Sequence, residues 1–269
     1  MRKLTSQTIS LYRQATAEVK LFWRSREAVY MTFLIPLLGM ALFVYLNREG
    51  MLDGVFDVLL RGLGGQGGLS ELPPLVFMTL GIITYCVIAA AFESPVPKLV
   101  RERESGIFKR LGGTPLGAWT LLVAKTASAA LLIFLEVGLI LTVGWVSSDI
   151  TVAGSWWLLA FMLLLGTFTV APLGYTLASL TRSADAAVMA VHAIYIPMLL
   201  LCGAFVPVEA LPKALQAVAR AFPLTYFVAP FRRVMIEGVG LEAIAGDLLI
   251  LLAWLVAGWF VAIKAFRWE

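Results

Sequence analysis

Charge, histidine and cysteine are all scarce in this chain. Of its 269 residues only 14% are Asp, Glu, Lys or Arg, against roughly a quarter in ordinary globular proteins. Hydrophobic residues make up 60%, and the mean hydropathy is +0.89. A soluble chain of this length could not hide that much apolar surface. One histidine, His192, and two cysteines, Cys86 and Cys202, leave no cluster with metal-ligand spacing. Both cysteines fall inside apolar runs, near opposite ends, so they read as buried thiols rather than a disulfide. There is no GxxxxGKS/T phosphate loop and no HExxH, GxSxG or CxxC pattern. The chain therefore carries no visible enzymatic chemistry and no usual means of binding ATP.

What is present is a series of apolar runs near 20 residues long, enough to cross a hydrocarbon core about 30 Å thick. Six spans can be drawn: 28–46, 73–92, 119–146, 156–180, 187–206 and 245–265. The runs are continuously apolar rather than alternating, which selects helices over a barrel. The expected fold is all-α, a polytopic membrane protein built as one domain over residues 1–269. The apolar run after the basic amino terminus is too long for a signal-peptide core and reads as a retained span.

Basic residues are distributed unevenly. Of the 21 Lys and Arg residues, all but Arg48, Arg61, Lys213, Arg220, Arg232 and Arg233 fall on one side of this topology. By the positive-inside rule that side is cytoplasmic, and both termini lie there. The net charge of +4 is thus a topology signal and gives no reason to expect a nucleic-acid partner. Most of the tryptophans fall toward span ends, as an aromatic belt requires.

Three segments outside the spans stand apart. In residues 5–26, Ile9, Tyr12, Val19, Phe22 and Trp23 share one helical face, while Arg13, Lys20 and Arg24 share another. That pattern predicts an amphipathic helix in the membrane interface, in contact with lipid headgroups. The loop 47–72 holds GlyLeuGlyGlyGlnGlyGly at 62–68, flexible by composition. Residues 207–238 are too polar to span and too apolar for a simple loop. Leu211, Leu215, Val218 and Phe222 recur at helical spacing, Pro223 ends that helix, and a second follows at about 226–236. Two short helices that dip into the outer leaflet and return would fit, since re-entrant backbone is tolerated where protein buries it.

A charged island separates the second and third spans. It holds Glu93, Lys98, Arg101, Glu102, Arg103, Glu104, Lys109 and Arg110, and it closes on Thr114-Pro115. Pro95 and Pro97 should break the second span, with a short helix over 98–112. Val100, Ile107, Phe108 and Leu111 fall on one face of it, and Arg101, Glu102, Lys109 and Arg110 remain for a partner. Gly106 allows a bend.

Within the spans, Glu136 is costly unless paired, protonated or facing water. It reads either as a pathway residue or as an interhelix hydrogen-bonding group. Lys125 lies eleven residues before it, about 16 Å along a helix, too far for a direct pair. His192 reads as a helix-contact residue or a proton relay. Pro36, Pro172 and Pro197 sit inside spans and can kink them.

The order of these parts resembles the ABC type 2 exporter permeases across nearly the whole chain. The resemblance rests on the Glu-x-Gly at Glu104–Gly106, on CysGlyAlaPheValProValGluAlaLeuPro at 202–212 and on PheProLeuThrTyr at 222–226. It implies a coupling helix that docks on a separate ATP-binding subunit, through Arg101, Glu102, Arg103, Glu104, Gly106, Lys109 and Arg110. It also implies a pair of six-span subunits, identical or different, in a prokaryotic inner or plasma membrane. Glu136 and His192 are the candidate pathway residues. Phe205, Pro207, Phe222, Pro223 and Tyr226 are candidates for an outer gate. No cofactor is expected on this chain, ATP being bound by the partner. Substrates would be amphipathic, lipidic, drug-like or glycan. A secondary transporter and a membrane scaffold for a soluble partner are the alternatives.

The charge asymmetry predicts that single cysteines added at positions 3 and 267 stay protected from an impermeant thiol reagent in intact cells and react once the membrane is opened. Labelling of either in intact cells would reverse the topology.

Overall fold

The computed structural model describes residues 2–54, 74–113, 117–148 and 150–266. The glycine-rich stretch 62–68, most of the loop 47–72, and Thr114-Pro115 lie outside the described residues.

The described residues fold as helices: α1 (Arg2–Arg24), α2 (Arg26–Arg48), α3 (Pro74–Ile88), α4 (Pro95–Glu104), α5 (Ile107–Gly112), α6 (Ala118–Ser148), α7 (Trp156–Leu180), α8 (Ala184–Leu201), α9 (Lys213–Arg220), α10 (Thr225–Arg232) and α11 (Leu241–Ala265). Two π turns interrupt the sequence, Ala89–Glu93 after α3 and Arg233–Glu237 after α10. Six helical segments are long and apolar enough to cross a membrane: α2, α3 with its continuation through α4, α6, α7, α8 and α11. The six-span, all-α architecture expected from the sequence is present.

Local chemistry sets several boundaries. Ser25 separates α1 from α2; its Oγ accepts from the Ala28 N–H at 3.4 Å, and Glu27 follows in the first turn, a favourable place for an acid. Ser183 begins α8 in the same way, with Asp185 behind it. The apolar pattern carries the fifth span to residue 206, but α8 stops at Leu201. Gly203, at φ +89°, turns the chain there in a conformation that disfavours other residues.

Burial sorts the spans into centre and periphery. The α3 span is 78% buried and α7 is 61%, whereas α2 and α8 are each 17%. Leu34, Leu38 and Leu42 on α2, and Ile194, Ile196 and Leu200 on α8, remain exposed. Small residues on α7 let its neighbours approach closely. Gly166 faces the Phe227 ring of α10, and Gly174 faces Val96 and Phe92. The last helix lies along α7, where Trp259 Nε1 donates to the Phe168 carbonyl at 3.0 Å.

Two ends can be told apart by their contacts. At one, α4 and α5 meet the carboxyl ends of α7 and α11, and α1 lies along α6. At the other, Ala153 N donates to Met235 O at 2.9 Å, and Arg48 donates to Ser147 O at 3.1 Å. The segment 202–240 sits at this second end. It contains a 3-10 turn at Val208–Ala210, then α9 and α10. The second helix, expected over 226–236, begins one residue earlier and finishes in the π turn. The expected apolar face is split: Leu211 is buried and Phe222 half-buried, while Leu215 and Val218 point outward.

The tight approach of residue 154 to the π turn after α10 gives a test. A Cβ on Gly154 would lie 2.2 Å from the Val234 carbonyl oxygen, which is backbone and cannot swing away, whereas a Cβ on Gly138 would meet nothing within 4 Å. Gly154→Ala should destabilise by about 1–3 kcal/mol, as overpacking does. Gly138→Ala, in an exposed turn of α6, should be neutral or stabilising by up to about 1 kcal/mol. Thermal unfolding of the purified chain in detergent would compare the two.

Candidate functional site

The island is built by two prolines and a glycine. A proline ring clashes with the carbonyl four residues before it, so α3 cannot run straight into Pro95. The backbone widens instead: Ser94 N donates to Ala89 O at 2.9 Å, five residues back, which is the π turn. Pro95 then opens α4 at its first position, where its missing N–H costs nothing. The helix therefore starts at residue 95 rather than near Lys98.

The single helix expected over 98–112 is two. It stops at Ser105, whose N–H reaches Arg101 O, and Gly106 turns the chain at φ +72° before α5 begins. Left-handed backbone is tolerated by glycine and strained for other residues. The Glu104–Gly106 element on which the resemblance rests forms this corner.

The seven island residues divide into two groups. Arg101, Glu104, Lys109 and Arg110 are exposed, with Ile107 beside them at 41% and Gly106 at the corner. Glu102 and Arg103 turn inward and are partly buried. Arg103 donates through Nη1 to Ala178 O at 3.1 Å and through Nη2 to Thr181 O. Those carbonyls end α7, where a cation suits the helix dipole. Val96, Leu99, Val100 and Phe108 are buried beneath the island, and the Phe108 ring lies 5.5 Å from that of Phe266.

Glu102 belongs to a buried charge cluster that the sequence pattern does not reveal. Lys125, 8% exposed, meets Glu18 at 2.6 Å and Glu102 at 2.9 Å; Lys98 meets the other oxygen of Glu18 at 2.7 Å. The chain Lys98–Glu18–Lys125–Glu102 ties α1, α4 and α6 together. Burial alone would push the Glu18 carboxyl up, but the ammonium groups of Lys125 and Lys98 outweigh it and hold Glu18 below its ordinary value. The available signal is Glu18 itself, an acid in a helix whose other side-chain charges are basic.

Above the cluster lies a cavity of about 520 Å³. Glu18, Lys98 and Lys125 form part of its wall, and so do both candidate pathway residues, Glu136 and His192. Glu136 is 3% exposed and faces the cavity with Cys86. His192 is exposed; its Nδ1 lies 2.7 Å from Val188 O and its Nε2 lies 3.8 Å from Glu93. Apolar side chains from α2, α3, α6 and α8 supply much of the rest.

The five candidate gate residues lie at the opposite end. Phe205 packs its ring over Gly81, Pro207 and Pro223 are buried, and Phe222 is half-buried. Tyr226 Oη donates to Arg220 O at 3.0 Å, and Thr225 Oγ1 to Ala219 O at 2.5 Å. These bonds knit the two short helices together. Among the described residues no group of His, Cys, Asp and Glu could hold a metal ion.

Residues 11–236 match the family described as ABC-2 type transporter. The chain is 28% identical over 173 residues to the inner membrane transport permease YhhJ of Escherichia coli (strain K12), covering 64% of this chain and 46% of that one. It is 25% identical over 182 residues to the probable multidrug ABC transporter permease YbhR of the same strain, covering 67% and 47%. The aligned residues thus span about half the length of the curated relatives it matches.

The charge cluster predicts a stability effect with a defined pH dependence. Lys125→Met leaves the partly buried Glu102 unpaired and Glu18 with only the exposed Lys98, and should cost about 3–5 kcal/mol. Glu18→Gln should also destabilise. Because the folded chain holds Glu18 below the unfolded value near 4.5, its contribution is complete above about pH 4.5 and is lost as the pH falls through the lower folded value. Thermal unfolding across pH should show parent and Glu18→Gln separated at neutral pH and converging only below 4.5.

Proposed function

The chain belongs to the ABC-2 type transporter family, and on that premise we propose that it is the membrane permease subunit of an ATP-driven exporter. ATP hydrolysis takes place on a separate ATP-binding subunit. Two permease subunits, identical or different, enclose the pathway between them, in the inner or plasma membrane of a prokaryotic cell with both termini in the cytoplasm. The single domain carries three accessory segments: an interfacial helix over 5–26, the coupling segment over 98–112 and a re-entrant hairpin over 207–238.

The observation that carries this reading is the island, held rigidly from behind and bare in front. Arg103 anchors it to the end of α7, Glu102 to Lys125, and Phe108 to the end of α11. Its outward side presents Arg101, Glu104, Lys109 and Arg110 around the Gly106 corner. A soluble domain that grips those charges moves three helices at once. That arrangement favours a coupled transporter over a passive scaffold, which needs a docking surface and no mechanical link to the spans. The ATPase docks on Arg101, Glu104, Gly106, Lys109 and Arg110, while Glu102 and Arg103 transmit the push. Closure of the ATPases tilts the spans, and substrate leaves past Phe205, Pro207, Phe222, Pro223 and Tyr226 at the outer end. The substrate is amphipathic, which fits a cavity with apolar walls and a polar end.

Charge reversal at the exposed corner tests this. Glu104→Lys leaves every internal contact of the island in place, so the subunit should insert and unfold like the parent. A docked charge that loses its partner leaves the other buried, at a cost of about 2–5 kcal/mol. ATPase attachment measured by pull-down, or substrate-stimulated hydrolysis in proteoliposomes, should fall at least tenfold. Parental values for attachment, hydrolysis and export together would defeat the reading.

A further inference from the structure

The charges around the cavity do not balance. Its two lysines are committed: Lys98 to Glu18, and Lys125 to Glu18 and Glu102. Two further carboxyl groups, Glu93 and Glu136, reach the same space. Glu93 Oε1 lies 3.8 Å from His192 Nε2, but its Oε2 is fully buried without a hydrogen-bond partner. Glu136 is 97% removed from solvent, the complement of its 3% exposure, and among the described residues no Lys, Arg or His lies within ion-pair distance of it. Ionised, buried acids of this kind are costly without a cation.

The setting of those acids specifies what would complete them. The wall shared by Glu136 and Glu93 is largely apolar or aromatic, from Met31 and Ile35 on α2, Tyr85 on α3, Leu132 on α6 and Val191 on α8, with Thr32, Ser94, Ser128 and His192 as its other polar groups. Lys125 and Glu136 lie eleven residues apart on α6, so the paired cluster and the deep acid are about 16 Å apart. At about 520 Å³ the cavity falls within the roughly 300–1,000 Å³ typical of drug-sized sites. An anionic headgroup would face two carboxyl groups with no unpaired lysine to receive it. A glycan would set many hydroxyls against apolar wall.

We propose that this cavity binds a lipophilic cation, its apolar body against Ile35, Leu132 and Val191 and its positive charge toward Glu136 and Glu93. The inference rests on the exporter reading, whose substrate class it narrows. Glu136 and Glu93 supply charge complementarity, and the apolar walls supply most of the affinity, so specificity resides in the sign of the ligand's charge.

Tetraphenylphosphonium and tetraphenylborate, nearly identical in size and opposite in charge, are suitable probes. Binding of each to the full chain in lipid nanodiscs is measured by equilibrium dialysis against empty nanodiscs. The parent should bind the phosphonium at least tenfold more tightly than the borate. Glu136→Gln and Glu93→Gln, which keep size and hydrogen-bonding capacity, should each weaken phosphonium binding several-fold, and together at least tenfold, without changing the borate. Thermal unfolding checks that each variant is folded. Leu132→Trp, which fills the cavity and leaves both acids, should exclude the phosphonium. Equal binding of the two ions, or undiminished phosphonium binding in the folded double variant, would overturn the proposal. Glu104→Lys should retain phosphonium binding, so a failure of ATPase docking and a failure of cation recognition register in different measurements.

Discussion

One ammonium group joins three of this structure's helices. Lys125 Nζ, near the amino end of α6, is shared by carboxylates from α1 and α4 at 2.6 and 2.9 Å. Removing those three groups from water carries a desolvation cost that only close, well-directed pairing can offset. Consequently α1 cannot lift away, nor α4 slide, without exposing a charge to an apolar surround. The island's position is therefore coupled to the amino-terminal helix as firmly as to the bundle. Arg103 adds an independent fixing point, because it satisfies carbonyls at the end of α7 that have no intrahelical partner.

The same charges serve the cavity. Glu18, Lys98 and Lys125 are at once the anchor of the island and part of the cavity wall. Any displacement of the island large enough to stretch the pairs changes the polar end of the cavity directly. No long relay of side chains is needed between the two. The peripheral helices α2 and α8 complete the enclosure while leaving most of their own apolar surface outside.

The spans are legible because a continuous apolar run of bilayer length fits little besides a membrane-crossing helix, and the observed helices match those runs within a few residues. Pro95 and Gly106 are legible as breaks, since each acts through its own backbone geometry. The use of Glu102 and Arg103 is not. A charged residue between two exposed ones gives no sign of which way it turns, and their partners stand 23, 75 and 78 residues away. The Glu18–Lys125 pair joins positions 107 residues apart, beyond the reach of any periodicity argument. Glu136 and His192 stand out singly as ionisable groups in apolar runs. That they share one cavity follows from how α2, α3, α6 and α8 pack, which composition does not encode. The end of α8 is hidden for another reason: Gly203 turns the chain inside a run that remains apolar through Val206.

The π turn at Ala89–Glu93 has a bearing on descent as well as on shape. A π turn is an α-helix carrying one surplus residue. Deleting any one of these five positions would restore an ordinary turn and rotate everything beyond it by about 100°. Glu102 would swing from Lys125 and Arg103 from the end of α7, while α3 above the deletion kept its packing. The angular setting of the island against the cavity is thus held by a single residue's worth of backbone. A gap at 89–93 would leave a chain that still fills the membrane and whose charged island faces the wrong way.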